Sequence, residues 1–334
     1  MMLAANEAMH GRGARTVAKY SGFGYVLESP IELPELDRVP SSTPPTWTLE
    51  VDPRASAADR GPIASDTVYD SVSVHAYSTG GAIGLAFDDT GCFEIRPASR
   101  VIAWQPGPNT SEAAVRADLL GRVMALAAHA DGALALHASA VSIGGQAIAF
   151  LGPKHAGKST IALALARHGA RLITDDTLIV RMDASGRPWG APGVQRVRLW
   201  PDAARALAID ISTTRDAKPT VDCLTAFALE RAPVPLVACY TLERAIAGTD
   251  EPVGRRRLSA VHAALACVRF SKLGALAGGS LGATLLDRAA AVANIIPVFT
   301  ASVTRDLGRL DQVAAEFLAW HAAHDVSAVP ARET

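Results

Sequence analysis

Gly152-Pro153-Lys154-His155-Ala156-Gly157-Lys158-Ser159 is the stretch whose reading decides the fold. It meets the phosphate-loop pattern G-x-x-x-x-G-K-[ST] at every fixed position. Ahead of it, Gln146 to Leu151 is the short continuous apolar run of a buried strand. Behind it, Thr160 to His168 is rich in Ala and Leu and stops at Gly169, a good residue to end a helix. Strand, loop and helix are the context the pattern requires. There the loop's N–H groups and the positive end of the helix dipole surround a polyphosphate, Lys158 reaches the outer phosphates and the Ser159 hydroxyl takes a place on Mg²⁺. The sequence thus predicts a nucleotide site over Gly152 to Thr160, with ATP and Mg²⁺ as its ligands.

After the helix, Ala170 to Thr174 reads as a second strand that ends on Asp175-Asp176, and Thr177 to Val180 continues apolar. Two carboxylates at a strand end beside a phosphate loop suit phosphoryl transfer. One can hold Mg²⁺ or its waters while the other accepts the proton of an attacking hydroxyl. An Asp-Asp pair is also an ordinary turn, so the pair alone does not decide.

From His137 to Asp176 the chain resembles, without a gap, the HPr serine kinase/phosphorylase group of P-loop kinases, which share a fold with phosphoenolpyruvate carboxykinase. The pattern is His137, a strand-like Ala138 to Ile143, the Gly144-Gly145 turn, a strand into Gly152, the loop, one short helix and Arg171-Leu172-Ile173-Thr174-Asp175-Asp176. In particular it resembles the branch found beside lasso-peptide biosynthesis genes, whose members phosphorylate a serine of a precursor peptide. The resemblance implies an α/β fold with a mixed sheet and a serine kinase activity. It implies Lys158 and Ser159 for phosphates and metal, Asp175 as general base, Asp176 as its metal-side neighbour and His137 beside the transferred phosphate.

Two departures from that family stand out. Pro153, Lys154, His155 and Ala156 occupy the loop where small residues including another glycine are preferred, and Thr160 replaces an acid. The second family signature, with its metal-binding glutamate, has no counterpart in Gly190 to Pro201, where Arg196 and Arg198 stand instead. A guanidinium fork suits a carboxylate or phosphate, and a C-terminal serine offers a carboxylate within reach of its own hydroxyl. Arg196 and Arg198 are therefore candidate substrate-binding residues; pairing with Asp202 or exposure to solvent is the other reading.

The 334 residues, 49% hydrophobic and 19% charged, describe a soluble globular chain with room for two modest domains. A net charge of −1 leaves no basic excess for nucleic acid or an acidic membrane. Cys92, Cys223, Cys239 and Cys267 lie far apart, as suits reduced thiols in the cytoplasm. The expected organisation is a disordered start over 1–17, a β-rich N-terminal domain over 18–108, a P-loop kinase core over 109–325 and a flexible tail over 326–334.

Within the first domain, Phe23 to Leu27, Trp47 to Val51, Val72 to Tyr77, Ile83 to Phe87, Cys92 to Ile95 and Val101 to Trp104 read as short antiparallel strands. A capping box at Asn109 and Glu112 opens a helix to about Ala130. Further on, Pro235 to Glu243 and Ile295 to Val303 read as strands, Leu258 to Phe270 and Leu307 to His321 as helices, and Ser212 to Thr220 as a loop. Leu273 to Leu286 is weakly polar and too short to span a membrane, and Arg255-Arg256-Arg257 is either an anion contact or a solvated face.

The leading function is transfer of the γ-phosphoryl group of ATP to a hydroxyl on a peptide or protein. A nucleotide-binding regulator without transfer, and a kinase of small-molecule hydroxyls, stay open beside it. A pure binder needs no base on the acceptor side, so His137 with Asp175-Asp176 separates the first of these from a kinase.

Overall fold

The computed structural model describes residues 17–57, 61–69, 72–78, 83–107, 110–211, 220–223, 226–244 and 252–322. The strands of its first sheet are β1 (Ala18–Gly22), β2 (Tyr25–Ser29), β3 (Asp37–Val39), β4 (Trp47–Val51), β5 (Ala64–Tyr69), β6 (Val72–Ser78), β7 (Ile83–Phe87), β8 (Gly91–Arg96) and β9 (Val101–Pro106), in the order β3-β1-β2-β4-β9-β8-β7-β6-β5. Period-two patterning makes these strands: Tyr25, Leu27 and Ser29 are buried while Val26 and Glu28 are less so. Most neighbours are antiparallel, as the sequence predicts, but β4 runs parallel to both β2 and β9. Phe23 and Gly24 are not strand. They form the two-residue turn between β1 and β2, both with positive φ (60° and 77°), and an apolar residue at a hairpin tip reads as strand from sequence alone. Phe23 is fully buried, because the tip inserts into the rest of the protein.

Ser111, rather than Asn109, caps the next helix by accepting a hydrogen bond from the Ala114 N–H (3.2 Å); Asn109 lies outside the described residues. This helix, α1, runs through Glu112–Asp118, a π-helical turn Leu119–Val123 and Met124–Ala130. Its apolar residues Val115, Leu119, Leu120, Val123 and Leu126 are all buried, as their helical spacing predicts.

The second sheet contains β10 (Leu134–Leu136), β11 (Ala138–Ile143), β12 (Gln146–Leu151), β13 (Arg171–Thr174), β14 (Leu178–Met182) and β15 (Pro188–Ala191), then β18 (Val234–Arg244), β19 (Val253–Arg257) and β20 (Val298–Val303). A small pair, β16 (Arg196–Arg198) and β17 (Thr220–Asp222), stands apart. The helices that follow α1 are α2 (Lys158–Arg167), α3 (Pro201–Ala206), α4 (Ala260–Arg269), α5 (Gly279–Ile295) and α6 (Leu310–Ala322). Strands β12, β18 and β20 are parallel, whereas β11 is antiparallel to both β12 and β13, so the sheet is mixed and the fold is α/β.

Strand alternation divides two cores. Ile148 and Phe150 of β12 join α2 and α6 on one face, where Phe150 and Tyr240 each meet Phe317 at ring distances of 5.0 Å. Ala147, Ala149 and Leu151 point the other way, into a core shared with the first sheet, α1 and α5.

The sequence reading left one helix unassigned and set one boundary differently. The glycine-containing stretch after Leu273 is largely α5, whose Leu281, Leu285, Ala289 and Val292 recur at helical spacing and are buried. Ile295 therefore closes a helix, and the following strand starts at Val298. The triple arginine lies on strand β19, where Arg255 stacks on the Trp320 ring (4.5 Å). Of Ser212 to Thr220, only Thr220 is among the described residues. No helix among the described residues is long and apolar enough to cross a membrane.

Asp118 of α1 is 3% exposed and accepts a hydrogen bond from Thr90 Oγ1 (2.7 Å). Burial pushes its carboxyl up to about 6, against the Thr90 hydrogen bond and the charges of Arg122 and Lys272. For an acid whose native pKa lies above its unfolded one, ionisation favours the unfolded chain. Stability is lost as pH rises from the unfolded value through about 6 and stays lost above it. Asp118→Asn, which keeps an acceptor for Thr90, is expected to raise the melting temperature by a few degrees at neutral pH, from roughly 2–3 kcal/mol. The gain should shrink toward about pH 4.5. An equal gain at both pH values in calorimetry would contradict ionisation of the buried carboxyl as its origin.

Candidate active site

Strand register brings the chemistry to one edge of the second sheet. Strand β11 lies between β12 and β13 and opposes both, so β12 and β13 run the same way and their carboxyl ends emerge together. One end carries the loop into α2 and the other carries Asp175-Asp176. His137 immediately precedes β11, whose first residue pairs with Leu151 at the end of β12, so it arrives at the same edge.

The loop bends through residues in the left-handed region. Gly157 (φ 97°) precedes α2, and His155 (φ 67°) adopts a conformation that costs a non-glycine residue about 1 kcal/mol. Two residues hold it there. Arg305 Nη1 donates to the His155 carbonyl (2.8 Å), and Trp200 Nε1 donates to His155 Nδ1 (3.1 Å) with the rings 5.6 Å apart.

Lys158 is buried at the start of α2. Its ammonium donates to the carbonyls of Gly152 (2.8 Å) and Pro153 (3.1 Å) and to His137 Nε2 (3.2 Å). His137 Nδ1 faces oxygens of Asp176, the carbonyl at 3.0 Å and Oδ1 at 3.1 Å. An ammonium can only donate, so Nε2 accepts and the ring proton sits on Nδ1.

The two carboxylates are in opposite environments. Thr177 N–H donates to the Asp175 carbonyl (3.0 Å) around Asp176 (φ 72°), a three-residue γ-turn of the strained kind. The turn sends Asp175 inward, where it is 8% exposed and accepts from Ser159 Oγ (2.9 Å) and Ser139 Oγ. Burial raises its carboxyl above the usual range, against the pull of the Ser139 hydroxyl. Asp176 turns outward with 56% of its side chain exposed and pairs with Lys272 Nζ (2.6 Å) and His137. Its partial burial would raise the carboxyl, but the Lys272 ammonium and then His137 outweigh that and hold it well below the usual range.

The structure therefore brings together Lys158, Ser159, Asp175, Asp176 and His137. Pro153 and Lys154 are exposed on the loop, and Ala156 is buried beneath it. Arg198 is exposed, while Arg196 is half-buried and lines a cleft beyond the Pro192–Arg196 segment. The sequence reading missed Lys272, Ser139, Trp200 and Arg305. Lys272 carried a signal, as one of five lysines in a chain whose cations are otherwise arginines; the other three carried none.

Among the described residues no three His, Cys, Asp or Glu side chains gather to hold a metal. The oxygens of Ser159 and Asp175 nonetheless suit Mg²⁺, which binds through one or two protein oxygens and fills its shell with water and phosphate.

On lowering the pH from neutral, Asp175 is expected to take up a proton well before Asp176, read by carbon-detected carboxyl NMR. Lys272→Met should move the Asp176 titration to higher pH, since it removes the cation that favours the anion. An Asp176 titration unchanged in that variant would show that Lys272 does not set its charge.

No family model matches the sequence, and no curated protein does. Among solved structures the chain is similar to the HPr(Ser) kinase/phosphatase from Coxiella burnetii, with 14% identity and a TM-score of 0.31 over 57% of this chain and 99% of that one. Likeness at this level bears on neither activity nor substrate, which rest on the geometry of the site.

Proposed function

We propose that the chain is an ATP- and Mg²⁺-dependent kinase that transfers a phosphoryl group to a serine hydroxyl of a peptide or protein. The observation that carries this reading is the pairing of opposites around Asp175-Asp176. One carboxylate is sealed against Ser159 beneath the loop, and the other is open to an incoming hydroxyl and already bonded to His137. A site that only bound nucleotide would have no use for the second.

In this reading Lys158 exchanges its bonds to the Gly152 and Pro153 carbonyls for phosphate oxygens, and the first-turn N–H groups of α2 face the same anion. Ser159 and Asp175 are the residues that would hold Mg²⁺, whose positive charge offsets that of the phosphates. Asp176, ionised at neutral pH, accepts the proton of the serine hydroxyl, and His137 orients it through Nδ1–H. Asp175 and Asp176 thus exchange the roles that the family resemblance implies, because Asp175 is closed to an acceptor and Asp176 is not. The finer reading, a serine of a precursor peptide in lasso-peptide biosynthesis, rests on the resemblance of residues 137–176 alone.

Titration with ATP and Mg²⁺ should show binding that Lys158→Ala weakens, with transfer to serine peptides falling by orders of magnitude. Asp176→Asn should remove transfer and leave nucleotide binding intact, whereas Asp175→Asn should weaken the response to Mg²⁺. Wild-type turnover in Asp176→Asn, with loss only in Asp175→Asn, would return the base to Asp175; no ATP binding by the wild-type chain would end the kinase reading.

A further inference from the structure

Beyond the transfer site lies an open cleft of about 110 Å³ between the first sheet and the Pro192–Arg196 segment. The β1–β2 hairpin with Glu35 and Asp37 forms one wall, and Gln195, Arg196, Glu230 and Arg231 line the other. The segment joins this cleft to the transfer site, since the Val194 carbonyl accepts from the Asp175 N–H (2.9 Å) and Arg196 is two residues further, ~7 Å along an extended chain.

Each acid in the cleft already has its cation. Glu35 pairs with Arg116 (3.0 Å), Asp37 with Arg231, and Glu230 with Arg171 (3.4 Å). Arg196 makes no ion pair among the described residues, and its Nε is buried without a hydrogen-bond acceptor. Glu35 Oε2 is likewise buried without a donor. An unpaired guanidinium in a half-buried wall is costly unless an anion completes it. With Arg116, Arg171 and Arg231 already neutralising these acids, Arg196 is left to take one negative charge, which a peptide carboxylate supplies.

We propose that this cleft holds the acceptor peptide and that Arg196 binds a carboxylate on it close to the hydroxyl to be phosphorylated. The proposal rests on the kinase reading for the identity of the peptide as acceptor. Binding at the cleft itself is independent of nucleotide and can be measured without it. The carboxylate belongs either to an acidic side chain next to the serine or to the chain terminus, which the probes separate.

The probes are three short peptides: acetyl-Gly-Ser as the free acid, the same peptide as its amide, and acetyl-Asp-Ser amide. Binding is measured on the full chain by calorimetric titration without ATP, and in the wild type also by proton–nitrogen NMR of the Arg196 Nε–H. At least one carboxylate peptide should shift that signal, with affinity about tenfold or more above the neutral amide. Preference for the free acid assigns the terminus, and preference for acetyl-Asp-Ser amide assigns the side chain; either supports the proposal. Arg196→Gln should abolish the preference and Arg196→Lys should retain part of it, with thermal melts confirming the fold of both.

Asp222 stands opposite Arg196 in the β16–β17 register, so Asp222→Asn is the control. Unchanged or tighter binding in that variant supports the proposal, and loss of binding overturns it. Equal affinity for all three peptides, no binding of any, or an undiminished preference in Arg196→Gln also overturns it. These failures would leave the kinase reading standing, because ATP binding at Lys158 is a separate measurement; loss of ATP binding in Lys158→Ala with peptide binding intact separates the two sites.

Discussion

A carboxylate taken out of water must be given hydrogen bonds, and at Asp175 that requirement ties the structure together. Its donors come from Ser139 on β11 and Ser159 on α2, while its own backbone sits at the end of β13. Three separate pieces of chain are thereby fixed to one another at a point where loss of a single hydroxyl would leave a buried anion under-satisfied. The mixed order β13-β11-β12 follows as the arrangement in which the Ser139, Ser159 and Asp175 positions meet at one edge.

Among the described residues the first sheet contributes no group to that edge, yet it fixes the segment beside it. Phe23, at the hairpin tip, donates its N–H to the Pro192 carbonyl (2.6 Å) and packs against Gly193. A Cβ at Gly193 would stand 2.5 Å from Thr174 Oγ1 and 2.7 Å from the Phe23 ring, so the backbone of this segment is pressed between the tip and β13. Val194, the next residue, accepts from the Asp175 N–H. The sheet thus braces the turn that separates the two carboxylates.

What the sequence disclosed followed its own geometry. Residues 137–176 were legible because strand, turn, loop and helix occur there without interruption and the neighbours in space are neighbours in the chain. Strands of the first sheet were legible through their alternation. The Phe23-Gly24 turn was hidden because burial made its phenylalanine look like a strand residue, and α5 was hidden behind the glycines at its start. Trp200, Lys272 and Arg305 reach the site from more than 20 residues beyond Asp176, and pattern carries no information at that range. Which of the two adjacent acids faces solvent was invisible for another reason. A single left-handed residue, Asp176, decides it, and no sequence pattern marks that conformation in an Asp.

Strand β12 has a different significance while the chain is being assembled. Its partner β11 is reached through the tight Gly144-Gly145 turn and can pair within microseconds, but its other neighbour, β18, comes from the far side of α2 and β13 to β17. Until β18 arrives, Gln146 to Leu151 is an open sheet edge of six residues with no charge and no proline. Such a segment is sticky toward its own kind, so the strand that later presents the loop is also where newly made chains would associate wrongly. Synthesis runs from the N-terminus, and the cover for this edge is among the later parts to appear. Yield of folded protein should therefore depend on temperature and chaperone supply more than the finished structure suggests.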